Sequence, residues 1–89
     1  MEMPVERVVS EVAEIMGDLL ASAPLSAHDD FFLRGGDSLR AVDLISKLVE
    51  CFEVTGSERE AELSSALTIG LFDSATPVTL ASIIEKHLS

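Results

Sequence analysis

Asp29-Asp30-Phe31-Phe32-Leu33-Arg34-Gly35-Gly36-Asp37-Ser38-Leu39 sets two glycines directly before the start of an amphipathic segment. Glycine permits backbone angles and close approaches that a Cβ forbids. Beyond the glycines, Leu39, Val42, Ile45, Leu48, Val49 and Phe52 recur at three- and four-residue steps, as one face of a helix does, and Leu44 widens the stripe. The helix begins at the Asp37-Ser38 step, so Ser38 stands at a helix N-terminus on the tip of a loop. Free N–H groups and the helix dipole there favour a negative charge, which suits a serine that carries a phosphodiester. The same residues also suit plain capping, because Asp and Ser are both favoured N-caps worth about 1 kcal/mol. Arg40, Asp43, Lys47 and Glu50 face outward, and Asp43 and Lys47 have the i, i+4 spacing of a surface ion pair.

Upstream, Val5, Val8, Val9, Val12, Ile15, Met16 and Leu19 form a second apolar stripe, with Glu6, Glu11, Glu14 and Asp18 on the other face. This predicts a helix from about residue 4 to about residue 20, with Pro4 in its first turn. Ala21 to Asp37 is then a long connection rich in turn formers. Connections of this length are often functional, and Phe31, Phe32 and Leu33 are expected to pin it to the core. Downstream, Gly56 ends the second helical region. Ser57 and Glu60 have the spacing of a capping box, but apolar periodicity is poor as far as Leu67, so a surface helix and a linker both fit. Leu67, Ile69, Leu71 and Phe72 make a cluster of one or two helical turns. Thr76-Pro77 reads as an N-cap followed by a first-turn proline. The last helix runs from Pro77 to about Leu88, with Val78, Leu80, Ala81, Ile84 and Leu88 inward. No segment alternates as a strand does. The fold class is all-α: a four-helix bundle of three main helices and a short third one, with a long loop between the first and second.

Composition narrows the functions open to such a bundle. At 89 residues the chain fits one small domain, residues 1–89, with little room for an enclosed cavity. Six basic residues against sixteen acidic ones give a net charge of −10. That disfavours nucleic acid, whose phosphates need Lys and Arg, and anionic membranes, and it suits steered encounters with basic protein surfaces. No apolar run approaches the roughly 20 residues of a membrane span, and the start lacks the pattern of a signal peptide. Together with a single cysteine, Cys51, this points to the cytoplasm. No His/Cys cluster offers a metal site. Cys51 has no His or Lys beside it in sequence and is expected to be partly buried and structural.

Asp-Asp-Phe-Phe, two further residues, then Gly-Gly-Asp-Ser-Leu and an amphipathic helix resembles the peptidyl carrier proteins of the acyl carrier superfamily. Leu71-Phe72-Asp73 followed by Ala75-Thr76-Pro77 is similar to that family's short third helix and the start of its fourth. The resemblance implies that Ser38 bears 4′-phosphopantetheine, flanked by the motif residues Gly36 and Asp37. It implies a non-enzymatic carrier that holds aminoacyl or acyl groups as thioesters in nonribosomal peptide or related specialised-metabolite synthesis. Its implied partners are a phosphopantetheinyl transferase, an adenylation (loading) enzyme, and tailoring or condensing enzymes. Leu39, Arg40, Asp43, Lys47 and Phe72 are the candidate partner-facing residues, with Leu39 equally compatible with the core. The paired Gly35-Gly36 favours the peptidyl branch over an acyl or aryl carrier of a polyketide or fatty-acid pathway. The methionine start without a flanking domain suggests a free-standing carrier, acting as a monomer. Thr55 to Ala66 departs from the pattern as an insertion of about ten residues.

Two rivals share the motif. Gly-Asp-Ser-Leu also marks a hydrolase family, but its serine nucleophile needs an α/β scaffold and an activating His-Asp pair. Here only His28, ten residues before Ser38 in the loop, and His87, near the end of the sequence, exist, and each is expected to be a surface histidine rather than a catalytic base. The other rival is a small helical interaction module whose serine stays unmodified.

Overall fold

The computed structural model describes residues 5–52 and 56–88. Four helices follow in order: α1 Val5–Leu19, α2 Ser38–Cys51, α3 Ser57–Asp73 and α4 Pro77–Leu88. No strand occurs among the described residues. Each helix packs on two others, α1 on α2 and α4, and α3 on α2 and α4, which closes a ring around one core. Val8, Val12 and Met16 from α1, Leu44 and Leu48 from α2, Leu63, Leu67 and Leu71 from α3, and Leu80 and Ile84 from α4 fill it. Phe31 is as fully buried as any of them and is supplied by the connection rather than by a helix.

α1 matches the expected span and stripe, except that Val5 is exposed and Pro4 lies outside the described residues. Its C-terminus turns at Ala21, which takes a left-handed φ of 53°, and the Ser22 N–H donates to the Gly17 carbonyl at 2.8 Å. This is the usual helix stop, made here without the usual glycine. Gly17 lets the returning chain lie against the helix, because a Cβ there would meet the Ala23 carbonyl oxygen at 2.6 Å.

α3 corrects the expected short third helix. It has 17 residues and is longer than α1, which has 15. The possible helix from Ser57 and the cluster at Leu67–Phe72 are one element, and so is most of the supposed insertion. The buried stripe is Leu63, Leu67, Gly70 and Leu71, spaced i, i+4, i+7 and i+8. Gly70 hides its central position, because a glycine does not register as apolar surface. It packs instead against α4, where an added Cβ would collide with the end of the Ile83 side chain. The cap position is Gly56 rather than Ser57, with no side-chain cap hydrogen bond. The side chains of Ser57 and Leu88 lie outside the described residues. α4 starts as expected: the Thr76 hydroxyl accepts the Thr79 N–H at 3.3 Å, and Pro77 follows in the first turn.

Candidate functional site

Ser38 is the first residue of α2, and the residue before it does the capping. Asp37 is extended, with φ −135° and ψ −179°. Its Oδ1 accepts the Arg40 N–H at 2.9 Å, and its backbone carbonyl accepts the Ala41 N–H at 2.9 Å. The choice between Asp37 and Ser38 as N-cap is thereby made. Ser38 is exposed, and its hydroxyl has no hydrogen-bond partner among the described residues. The amides of Ser38 and Leu39 lie in the first turn, where the helix supplies no acceptor. An exposed hydroxyl beside two such donors at the positive end of a helix fits a phosphodiester on Oγ.

The loop that presents Ser38 is built from its own residues. Asp30 Oδ1 accepts the N–H groups of Phe32, at 2.8 Å, and Leu33, at 3.1 Å, which winds residues 31–35 into turns. The Phe31 N–H donates to the Ala75 carbonyl at 2.8 Å, and the Val78 N–H to the Ala27 carbonyl at 3.1 Å. These two bonds tie the loop to the α3–α4 junction. The two glycines have different physical reasons. Gly35 takes φ +113°, a conformation that L-residues rarely adopt. Gly36 lies under the Phe31 ring, where a Cβ would stand 2.5 Å from two ring carbons. The Gly36 N–H also donates to the Phe31 carbonyl at 2.9 Å.

Three phenylalanines continue this contact outward. Phe32 meets Phe31 edge to face, with ring centres 5.8 Å apart and planes at 72°. Phe72, in the last turn of α3, stacks on Phe32 at 6.0 Å and 19°. Phe72 nonetheless remains 69% exposed.

The five candidate partner-facing residues separate on the surface. Leu39 is 79% exposed and is no part of the core, and Val42, expected inside, is 63% exposed. The buried face of α2 is centred on Ala41, Leu44 and Leu48. Leu39 lies opposite that centre, and Val42 shares its outer face. Arg40 is exposed, with its head turned along the surface toward α1. Its Nη1 is 3.0 Å from Asp37 Oδ2, and its Nε donates to the Leu19 carbonyl at 3.2 Å, so it caps the end of α1. Lys47 lines a groove between α1 and α2 with Ile15, Asp18, Glu50 and Cys51. Asp43 and Lys47 form no ion pair, a contact worth only a few tenths of a kcal/mol at an exposed site. The sequence reading missed Val42 and Ile69, which is 72% exposed on α3. Centring the α2 stripe on the i, i+3, i+7 set Ala41, Leu44 and Leu48 would have exposed Val42.

The remaining candidates lie apart from this surface. Cys51 is exposed rather than partly buried, with its sulfur 3.8 Å from Glu11 Oε2. One ring nitrogen of His87 contacts the Ile83 carbonyl within α4 at 3.0 Å, and His28 lies on an exposed turn. No described helix is long and apolar enough to cross a membrane.

Comparison with known proteins bears on the same segment. A family model described as phosphopantetheine attachment site matches residues 6–69, the greater part of the chain. Malpinin synthetase of Mortierella alpina is 37% identical over 86 residues, 97% of this chain and 1% of that protein. A linear gramicidin synthase of Brevibacillus parabrevis is 49% identical over 43 residues, 48% of this chain and 1% of that protein. A plipastatin synthase of Bacillus subtilis is 39% identical over 44 residues, 49% of this chain and 2% of that protein. The chain thus spans only a small fraction of these relatives' length. No solved structure gives a significant match.

Proposed function

The chain belongs to the phosphopantetheine attachment site family, and from that premise we propose that Ser38 is the residue that carries the 4′-phosphopantetheine arm. The observation that carries this assignment is the separation of roles at the helix start. Asp37 caps α2, and the Ser38 hydroxyl is left exposed with no structural task. Domains of this family are carriers and not catalysts. When bound, the arm supplies a flexible thiol that holds the cargo as a thioester.

The chain's own residues anchor and orient. Ser38 Oγ fixes the phosphodiester, the first-turn amides of α2 face its charge, and the Gly35-Gly36 loop leaves room for a transferase to approach. Residues 1–89 act as a single monomeric, cytoplasmic carrier domain. The cargo is an aminoacyl or acyl group, and the setting is nonribosomal peptide synthesis. The matches to synthases of gramicidin, plipastatin and malpinin favour this branch over a polyketide or fatty-acid carrier. A transferase, a loading adenylation enzyme and condensing or tailoring enzymes are the partners. They meet an outer face made by the loop, by Leu39 and Val42 on α2, and by Ile69 and Phe72 on α3, with Asp43 beside it. Arg40 and Lys47 flank this face on the α1 side. Tethering keeps the cargo at high effective concentration near each enzyme, so these contacts are weak and transient.

Incubation with a phosphopantetheinyl transferase and coenzyme A tests the assignment by intact mass. One arm is expected on the wild-type chain and none on Ser38→Ala. No mass gain with several such transferases would remove the carrier reading and leave an interaction module with a free serine.

A further inference from the structure

We propose that Phe72 is a positioning residue for Ser38, acting through Phe32 and Phe31 to hold the loop in the form a transferase engages. The proposal rests on the assignment of Ser38 above. Phe72 is fixed in space by its neighbours. Leu71 is buried in the core, the Ser74 N–H closes the helix end on the Gly70 carbonyl at 2.8 Å, and Ala75 is buried. From that fixed point the Phe72 ring covers Phe32, Phe32 abuts the edge of Phe31, and Phe31 bears on Gly36 by its ring and its carbonyl. Gly36 is two residues from Ser38.

Phe31 is anchored on its own by its burial and its bond to the Ala75 carbonyl, but the outer turn, residues 32–35, has little else to hold it against α3. Leu33 is 87% exposed, and the Arg34–Asp29 ion pair lies within the loop at 3.7 Å. Phe72 is therefore a strut whose inner ring face supports the loop while its outer side stays open to solvent. Removing the ring leaves the Asp30 turn intact but lets it sample arrangements in which Ser38 is displaced. A transferase then meets the competent form only part of the time, which raises its apparent KM and leaves kcat alone.

The test uses Phe72→Leu, Phe72→Tyr, Phe32→Leu and the Phe32→Leu/Phe72→Leu double variant of the full chain. For Phe72→Leu, the KM for the carrier protein in arm transfer is expected to rise, by at most about tenfold, with kcat unchanged. The Gly35 and Gly36 amides should exchange with deuterium about two- to tenfold faster in the unmodified protein, the usual worth of an aromatic pair, while core amides of α1 and α4 do not. Phe72→Tyr keeps the stack and should restore both values. Phe32→Leu should mimic Phe72→Leu, and the double variant should add little, as for two residues acting through one contact. Wild-type exchange at Gly36 in Phe72→Leu would overturn the proposal, and a raised KM alongside it would make Phe72 only a direct enzyme contact. Faster exchange at Gly36 together with no arm on the wild-type chain would instead remove the Ser38 assignment and leave the ring coupling standing.

Discussion

The connection between α1 and α2 and the first half of α3 invert the usual relation between regular structure and attachment. Residues 20–37 contain no helix, yet they are closely held. Leu25 and Phe31 are buried, and the amides of Leu25, Phe31 and Gly36 donate to Ala13, Ala75 and Phe31. Residues 57–66 are helical, yet Leu63 alone is buried among the side chains described there, and Glu58, Glu60, Ala61 and Glu62 face solvent. One side-chain hydrogen bond, from Arg59 Nη2 to the His87 carbonyl at 3.3 Å, ties that half to the end of α4. Backbone regularity and anchorage to the core are separate properties. Here the irregular segment is the one that leads into the candidate serine, Ser38.

Substitutions ranked by expected effect can break this contrast. Phe31→Ala should cost about 3–5 kcal/mol in chemical denaturation, as a core aromatic does, although Phe31 lies in a loop. A cost below about 1 kcal/mol would show that the loop is not part of the core. Gly36→Ala should cost about 1–3 kcal/mol by driving a methyl group into the Phe31 ring, seen as a lower denaturation midpoint at unchanged slope. Asp37→Ala removes the α2 cap and should lower stability by about 1 kcal/mol in the same measurement. Ala61→Gly in the first half of α3 should cost no more than about 1 kcal/mol. Its effect should be local, speeding deuterium exchange at residues 61–65 while core amides stay protected. Global unfolding at a much lower midpoint would mean that this half is integral to the core after all.

The sequence made some of these features visible and concealed others for identifiable reasons. The α1 stripe, the Thr76-Pro77 start of α4 and the Phe31 anchor were legible because each rests on local chemistry within a few residues. The continuity of α3 was not, because Gly70 interrupts the apolar stripe by residue type while serving it in space. The outward turn of Val42 was hidden because a broad apolar stripe can be centred on either edge, and only the neighbouring helices decide which. The bond from Arg40 to the Leu19 carbonyl was hidden because it spans 21 residues. At the site, the Gly-Gly-Asp-Ser pattern marked Ser38 as the candidate, and the structure leaves it exposed at the start of α2. Which residue caps the helix needed the geometry of Asp37.

Asp37 and Ser38 share a helix start but not a job, and this has a consequence for the protein's life cycle. Had the serine been the cap, every esterification would have disturbed the acceptor that holds the first turn, and the folded state would have changed with each round of modification. With the aspartate in that post, the cap does not draw on the Ser38 hydroxyl. Under the proposed assignment, the helix start keeps its cap whether or not Ser38 carries the arm.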